Sequence, residues 1–148
     1  MTNPEAQAIA ERELCGLING MAQQIAEHVR QRAVKLGLTA PQATALRELT
    51  GPMTMRELAD RMSCEPSNAT FIVDKLEQRE LIERCPHPSD RRAKHLKLTP
   101  RGDALREELL ALLHEESPLA GLTQPERDTL QQLLARATAG PAGHAPRA

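Results

Sequence analysis

Asp90-Arg91-Arg92-Ala93-Lys94-His95-Leu96-Lys97-Leu98-Thr99-Pro100-Arg101-Gly102 is the stretch that decides the fold. It opens with a charged, turn-forming tip. It continues as a short strand whose alternation puts Leu96 and Leu98 on one face, followed by Thr99, whose hydroxyl can cap a new helix. Between Arg84 and Arg101 six Arg or Lys residues stand against one acid, Asp90, although the whole chain carries a formal net charge of -1. A compact basic hairpin in a near-neutral chain suits a polyanion reader, because affinity for phosphates comes from local Lys and Arg and not from overall pI.

Upstream of the hairpin the pattern is helical. Leu14, Leu17, Ile18, Met21, Ile25, Val29 and Leu36 recur near helical spacing, which predicts one amphipathic helix over residues 6–36, ended by Gly37. Thr39 with Gln42, and Thr54 with Glu57, repeat the reciprocal capping pattern. They open one helix running to Thr50 before Gly51-Pro52, and a shorter one with Met55, Leu58, Ala59 and Met62 on one side. After the turn Ser63-Cys64-Glu65, Pro66 fits a first helical position, and Phe71, Ile72, Val73 and Leu76 are expected to point inward from a helix that ends at Arg79. The two helices form a helix-turn-helix. Leu81–Arg84 and His95–Leu98 read as strands joined by a long basic loop, Cys85 to Lys94, so the whole is a winged helix.

The start of the second helix exposes Ser67, Asn68 and Thr70, with Lys75 further along. Short hydroxyls and amides on a first turn can reach base edges and phosphates in a major groove, although the same residues also simply favour a helix start. The basic hairpin that follows favours the first reading.

Pro66 to Leu76, Leu81-Ile82-Glu83-Arg84, Asp90-Arg91-Arg92 and Leu98-Thr99-Pro100-Arg101-Gly102 together resemble the MarR family of bacterial winged helix-turn-helix transcription regulators. The resemblance spans nearly the whole chain and is most specific in the Asp-x-Arg wing and the Leu-Thr-x-x-Gly after it. It implies a mainly α fold with a two-stranded β wing, and an obligate homodimer, triangular in outline, on double-stranded DNA. Two recognition helices would lie in adjacent major grooves, with the wing tips in flanking minor grooves. Arg92 would be the minor-groove finger, and Asp90 would hold the wing in shape by pairing with it. Ser67, Asn68, Thr70, Lys75, Arg84, Asp90, Arg91, Arg92 and Lys94 are the DNA-binding residues expected on this basis. One departure is Glu80, where the family commonly has a glycine to end the recognition helix; a glutamate must accept left-handed strain or end the helix differently.

Dimerisation needs its own surface. After Thr99 a helix carries Leu105, Leu109, Leu112 and Leu113, and after Ser117-Pro118 a last one, capped by Thr123 and Glu126, carries Leu130, Leu133, Leu134 and Ala137. With the long first helix they offer more apolar surface than a small winged helix can bury alone, which favours an intertwined dimer. The expected organisation is a single MarR-type domain over 1–138, with dimerisation helices at 6–36 and 100–138, a DNA-binding lobe at 39–99, and a disordered tail from 139 to 148.

No apolar run is long enough to span a membrane, and the segment Met1-Thr2-Asn3-Pro4-Glu5 carries no export pattern, so a cytoplasmic protein is expected. Cys15, Cys64 and Cys85 form no Cys-x-x-Cys pair and are expected as reduced thiols. Cys15 resembles in position the reactive cysteine of the organic-hydroperoxide-sensing branch of the family and is the candidate redox sensor. That branch activates its thiol through tyrosine, which this chain lacks, so a small buried hydrophobe is the preferred reading. A small-molecule effector, which the resemblance places between the dimerisation helices and the DNA-binding lobe, is the expected signal, and a peroxide response through Cys15 is the alternative. Phe71, the one aromatic residue, is expected in the core and so outside such a site.

His28, His87, His95, His114 and His144 are scattered, so neither a metal nor another cofactor is expected. Neither is catalysis, for want of a nucleophile with a base or of a phosphate-cradling glycine loop. A winged helix used as a protein interaction module remains the competing class; such a module would not need the basic wing.

Overall fold

A computed structural model of the chain describes residues 3–90 and 92–140. These fall into two compact units, divided between Glu115 and Glu116. The first holds α1 (Pro4–Lys35), α2 (Ala40–Glu48), α3 (Met55–Met62), α4 (Pro66–Gln78), β1 (Ile82–Pro86), β2 (Lys94–Leu98) and α5 (Pro100–His114); the second holds α6 (Gln124–Ala139). The architecture is mainly helical with one antiparallel two-stranded sheet, the winged helix-turn-helix expected from the sequence.

Local chemistry sets the element ends. Thr39 with Gln42, Thr54 with Glu57, and Thr123 with Glu126 all form complete capping boxes, each satisfying two orphan main-chain donors at a helix start. The C-termini of α1, α3 and α4 close in one common way. Leu38 N–H donates to Ala33 O, Cys64 N–H to Ala59 O and Leu81 N–H to Leu76 O, each around a residue of positive φ: Gly37 at 68°, Ser63 at 54° and Glu80 at 61°. Glu80 therefore accepts the left-handed conformation that a glycine would adopt without steric cost.

Boundaries differ from expectation at several element ends. The helix expected to reach Thr50 stops at Glu48, with Leu49 as its cap. Cys85 and Pro86 extend β1 and Lys94 joins β2, in the register Ile82↔Leu98 to Pro86↔Lys94, so the wing loop is shorter than the sequence suggested. Proline at an edge-strand end forgoes no ladder bond, which is why the strand tolerates it. Met53 adds a single bridge to Leu96, with Met53 N–H to Leu96 O at 3.1 Å and Leu96 N–H to Met53 O at 2.7 Å, and so ties the strap before α3 to the sheet. The expected tail from 139 to 148 lies outside the described residues after Gly140, while Ala139 closes α6.

The core sits in the first unit and is built from Leu46, Leu49, Leu58, Val73, Leu76, Leu81, Ile82, Leu96 and Leu109. Arginines brace it from within. Arg32, 8 % exposed, donates to Leu112 O and Glu115 O. His28 Nε2 lies 2.8 Å from Leu113 O, and Arg106 caps the end of α2 through Leu46 O and Arg47 O. Donors on the free carbonyls of helix C-termini satisfy the hydrogen-bond deficit, and the charge of the two arginines also opposes the helix dipole.

Candidate nucleic-acid interface

α4 buries Ala69, Val73 and Leu76 and turns the rest outward. Phe71 is 65 % exposed, against the expectation that it joins the core. The reason is angular: at 3.6 residues per turn Phe71 stands roughly 200° round the helix from Ala69, so it faces away from the buried stripe. Ser67, Asn68 and Lys75 are exposed as well, and Thr70 is half-buried with its hydroxyl donating to Pro66 O at 2.9 Å. The Lys75 ammonium lies 5.5 Å from the Phe71 ring centroid. No side chain caps the start of α4, whose N-cap is Glu65 and first residue Pro66. Asn68 N–H and Ala69 N–H donate to Glu65 O at 3.0 and 3.1 Å, and Pro66 has no N–H, so Ser67 carries the first-turn main-chain donor left to meet an incoming acceptor.

On the wing the cations separate into two sets. Arg84 on β1 is held by two carboxylates of α4, Asp74 at 2.5 Å and Glu77 at 3.3 Å. Lys97 pairs with Glu83 across the strands at 3.2 Å; this hydrogen bond, and the attraction that comes with it, raise the lysine above its ordinary pKa. Arg101 lies 3.7 Å from Glu80. Arg92 and Lys94, at the tip, are exposed and have no ion-pair partner among the described residues. Arg91 lies outside the described residues. The outward charge of the wing is thus gathered at its end, and Arg84 braces the wing against α4.

The tip is shaped by its own hydrogen bonds. The Asp90 carboxylate accepts from the main-chain N–H of Arg92 at 2.9 Å, and Asp90 O accepts from Ala93 N–H at 3.2 Å. Asp90 therefore fixes the turn through the main chain of residue 92, where pairing with the side chain was expected. Below the tip the His87 and His95 rings pack with centroids 4.3 Å apart, and Ser89 N–H donates to His87 Nδ1 at 3.1 Å.

Two other expected sites take different forms. Cys15 is exposed on α1, not buried, in a run where Leu14, Leu17 and Ile18 are also exposed, Leu17 by 72 %. An apolar groove of about 770 Å³ runs between the start of α2 and the outer face of α4, lined by Pro41, Thr44, Met62, Phe71, Ile72 and Lys75. Sequence periodicity missed this groove because it placed Phe71 inside. No cluster of metal-ligating side chains occurs among the described residues.

The MarR family model matches residues 38–94, from the end of α1 through the wing. The chain is 36 % identical over 96 residues to the HTH-type transcriptional repressor MdtR of Bacillus subtilis, covering 64 % of this chain and 62 % of that protein. It thus spans less than two thirds of the length of that relative. Among solved structures, a cysteine-to-serine mutant of MarR from Escherichia coli in complex with operator DNA aligns with a TM-score of 0.70 at 26 % identity, over 92 % of this chain and 99 % of that one. BpsR of Bordetella bronchiseptica, whose structure addresses regulation of DNA binding by 6-hydroxynicotinic acid, aligns with a TM-score of 0.71 at 25 % identity, over 85 % and 98 %. The matched segment contains the helix-turn-helix and the wing up to Lys94, and over residues 38–94 the chain is a MarR-family winged helix-turn-helix.

Proposed function

We propose that the protein is a sequence-specific DNA-binding transcription regulator of the cytoplasm, acting as a homodimeric repressor on an inverted-repeat operator and released by a small-molecule signal. The observation that carries this reading is the separation of charge on the wing: the basic residues near the core are neutralised by carboxylates, while Arg92 and Lys94 at the tip have no ion-pair partner among the described residues. A cation free of partners gains most in a narrow minor groove, where the negative potential is enhanced. The exposed first turn of α4 with Ser67 and Asn68 supplies the base-edge groups.

The dimer is supported by unpartnered apolar side chains: Ile9, Leu14, Leu17 and Ile18 on α1 in the first unit, Leu133 and Leu134 on α6 in the second. The effector is supported by the groove beside α4, whose volume suits a small organic ligand. An occupant there would touch Phe71 and Lys75 on the outer face of the recognition helix. By linkage it must weaken DNA binding by the same factor with which DNA weakens its own. Footprinting on the DNA upstream of the protein's own gene tests the reading: two protected half-sites with centres about one helical turn, roughly 10 base pairs, apart are expected. A protein that protects no segment at concentrations saturating for a specific site belongs to the interaction-module class.

A further inference from the structure

We infer that Phe71 reads the C5-methyl group of a thymine in the major groove and so imposes a thymine preference at one position of each half-site. The inference rests on the DNA-binding reading above and adds to it a residue and a base. Phe71 is the only aromatic residue of the chain, and the fold leaves it 65 % exposed. It stands in the second turn of α4, four residues after Ser67 and four before Lys75, so the three form one stripe along the helix. That stripe is about 12 Å long at 1.5 Å per residue, comparable to the width of the major groove.

The chemistry of the groove narrows the partner. Guanine, cytosine and adenine present only hydrogen-bond donors and acceptors on their major-groove edges, and thymine alone adds an apolar group, its methyl. A phenyl ring set among a hydroxyl, an amide and an ammonium has no hydrogen bond to offer. Against any base but thymine it would cover polar edges without satisfying them. Lys75, 5.5 Å from the ring centroid, places a cation beside the ring where phosphates and purine acceptors lie, so the pair combines an apolar contact with a charged one.

The test uses the full-length protein. A high-affinity duplex is selected from a random library, and fluorescence anisotropy then compares it with duplexes in which each thymine in turn is replaced by deoxyuridine, which lacks only the methyl. At one thymine per half-site the wild type is expected to lose about fourfold in affinity, the worth of one buried methyl group. Phe71→Ala is expected to bind thymine and deoxyuridine equally at that position, while still sensing any other thymine the wild type senses. Because Phe71 is exposed, the variant should melt with the wild type, and circular dichroism checks that. The inference is overturned if the wild type senses no thymine methyl. It is overturned equally if Phe71→Ala keeps the wild-type discrimination, or weakens all duplexes by one common factor, as a role confined to the groove would. Failure of selection to yield any duplex preferred over random DNA would instead remove the DNA-binding reading on which the inference stands.

Discussion

The main-chain carbonyl of Leu81 occupies the space in which a Cβ on residue 102 would stand. Such a carbon would overlap the Leu81 oxygen, lie 3.0 Å from its carbonyl carbon and 3.3 Å from Leu98 Cδ2. The same carbonyl accepts from Thr99 N–H at 3.1 Å, and Thr99 Oγ1 both donates to Glu80 O and accepts from Gly102 N–H. The first turn of α5 is thereby pressed flat against the entry to the wing, which explains physically why a Leu-Thr-x-x-Gly sequence closes this hairpin.

Gly102→Ala should therefore destabilise the fold by at least the upper part of the range of about 1–3 kcal/mol usual for overpacking, since the obstacle is main chain and cannot swing aside. Urea denaturation measures it; an unchanged midpoint would show that α5 does not sit against Leu81 as described.

Glu80 at φ 61° pays the cost of a left-handed side-chain-bearing residue. Glu80→Gly should gain about 1 kcal/mol in stability, because the exposed pair with Arg101 that it gives up is worth little. A loss on the same melt would mean that this pair, or the order it imposes, outweighs the strain.

Arg84 tests the division of the wing charges. If it braces the wing through Asp74 and Glu77, Arg84→Ala should lower DNA affinity while leaving the salt dependence unchanged, with a stability loss of under about 1 kcal/mol for so exposed a pair. If instead it contacts a phosphate, the slope of log affinity against log salt should fall by about 1. The salt series tells the two roles apart.

The cap of α6 carries a pH dependence. Thr123 N–H donates to Glu126 Oε1 at 2.9 Å, and this main-chain hydrogen bond holds the carboxyl below its ordinary value of 4.5. A carboxylate depressed by folding stabilises fully above its ordinary range, and that contribution is lost as pH falls through the lowered value. The Thr123 and Glu126 amide resonances should hence shift on acidification below the ordinary carboxylate range. Glu126→Gln, which keeps an acceptor but no charge, should abolish the titration; the same titration in that variant would assign it to another group.

Much of this was legible in the sequence because it is local. The three threonine capping boxes, Pro66 at a helix start and the alternation of Leu96 and Leu98 each depend on residues within a few positions of one another. Phe71 was misplaced because four apolar residues in six positions, Phe71 to Leu76, allow more than one helical face. The spacing of Ala69, Val73 and Leu76 marks the buried one, once a small residue is allowed to count as core. Met53 bridging to Leu96, Arg84 reaching back to Asp74, and the obstacle at Gly102 are contacts between distant segments, which periodicity does not encode. Cys15 was expected under cover because its helix is apolar on that side, yet it stays exposed with Leu14, Leu17 and Ile18, since periodicity marks an apolar face without saying what covers it.

The most direct test of DNA reading by this wing is anisotropy of the wild type and Arg92→Ala on the selected duplex and a scrambled one, across a salt series. The wild type should bind selectively and with steep salt dependence. Arg92→Ala should lose about 1–3 kcal/mol on the selected duplex, with a shallower slope. Equal, weak binding of both duplexes by the wild type, or a variant indistinguishable from it, would contradict the assignment of the wing tip to DNA.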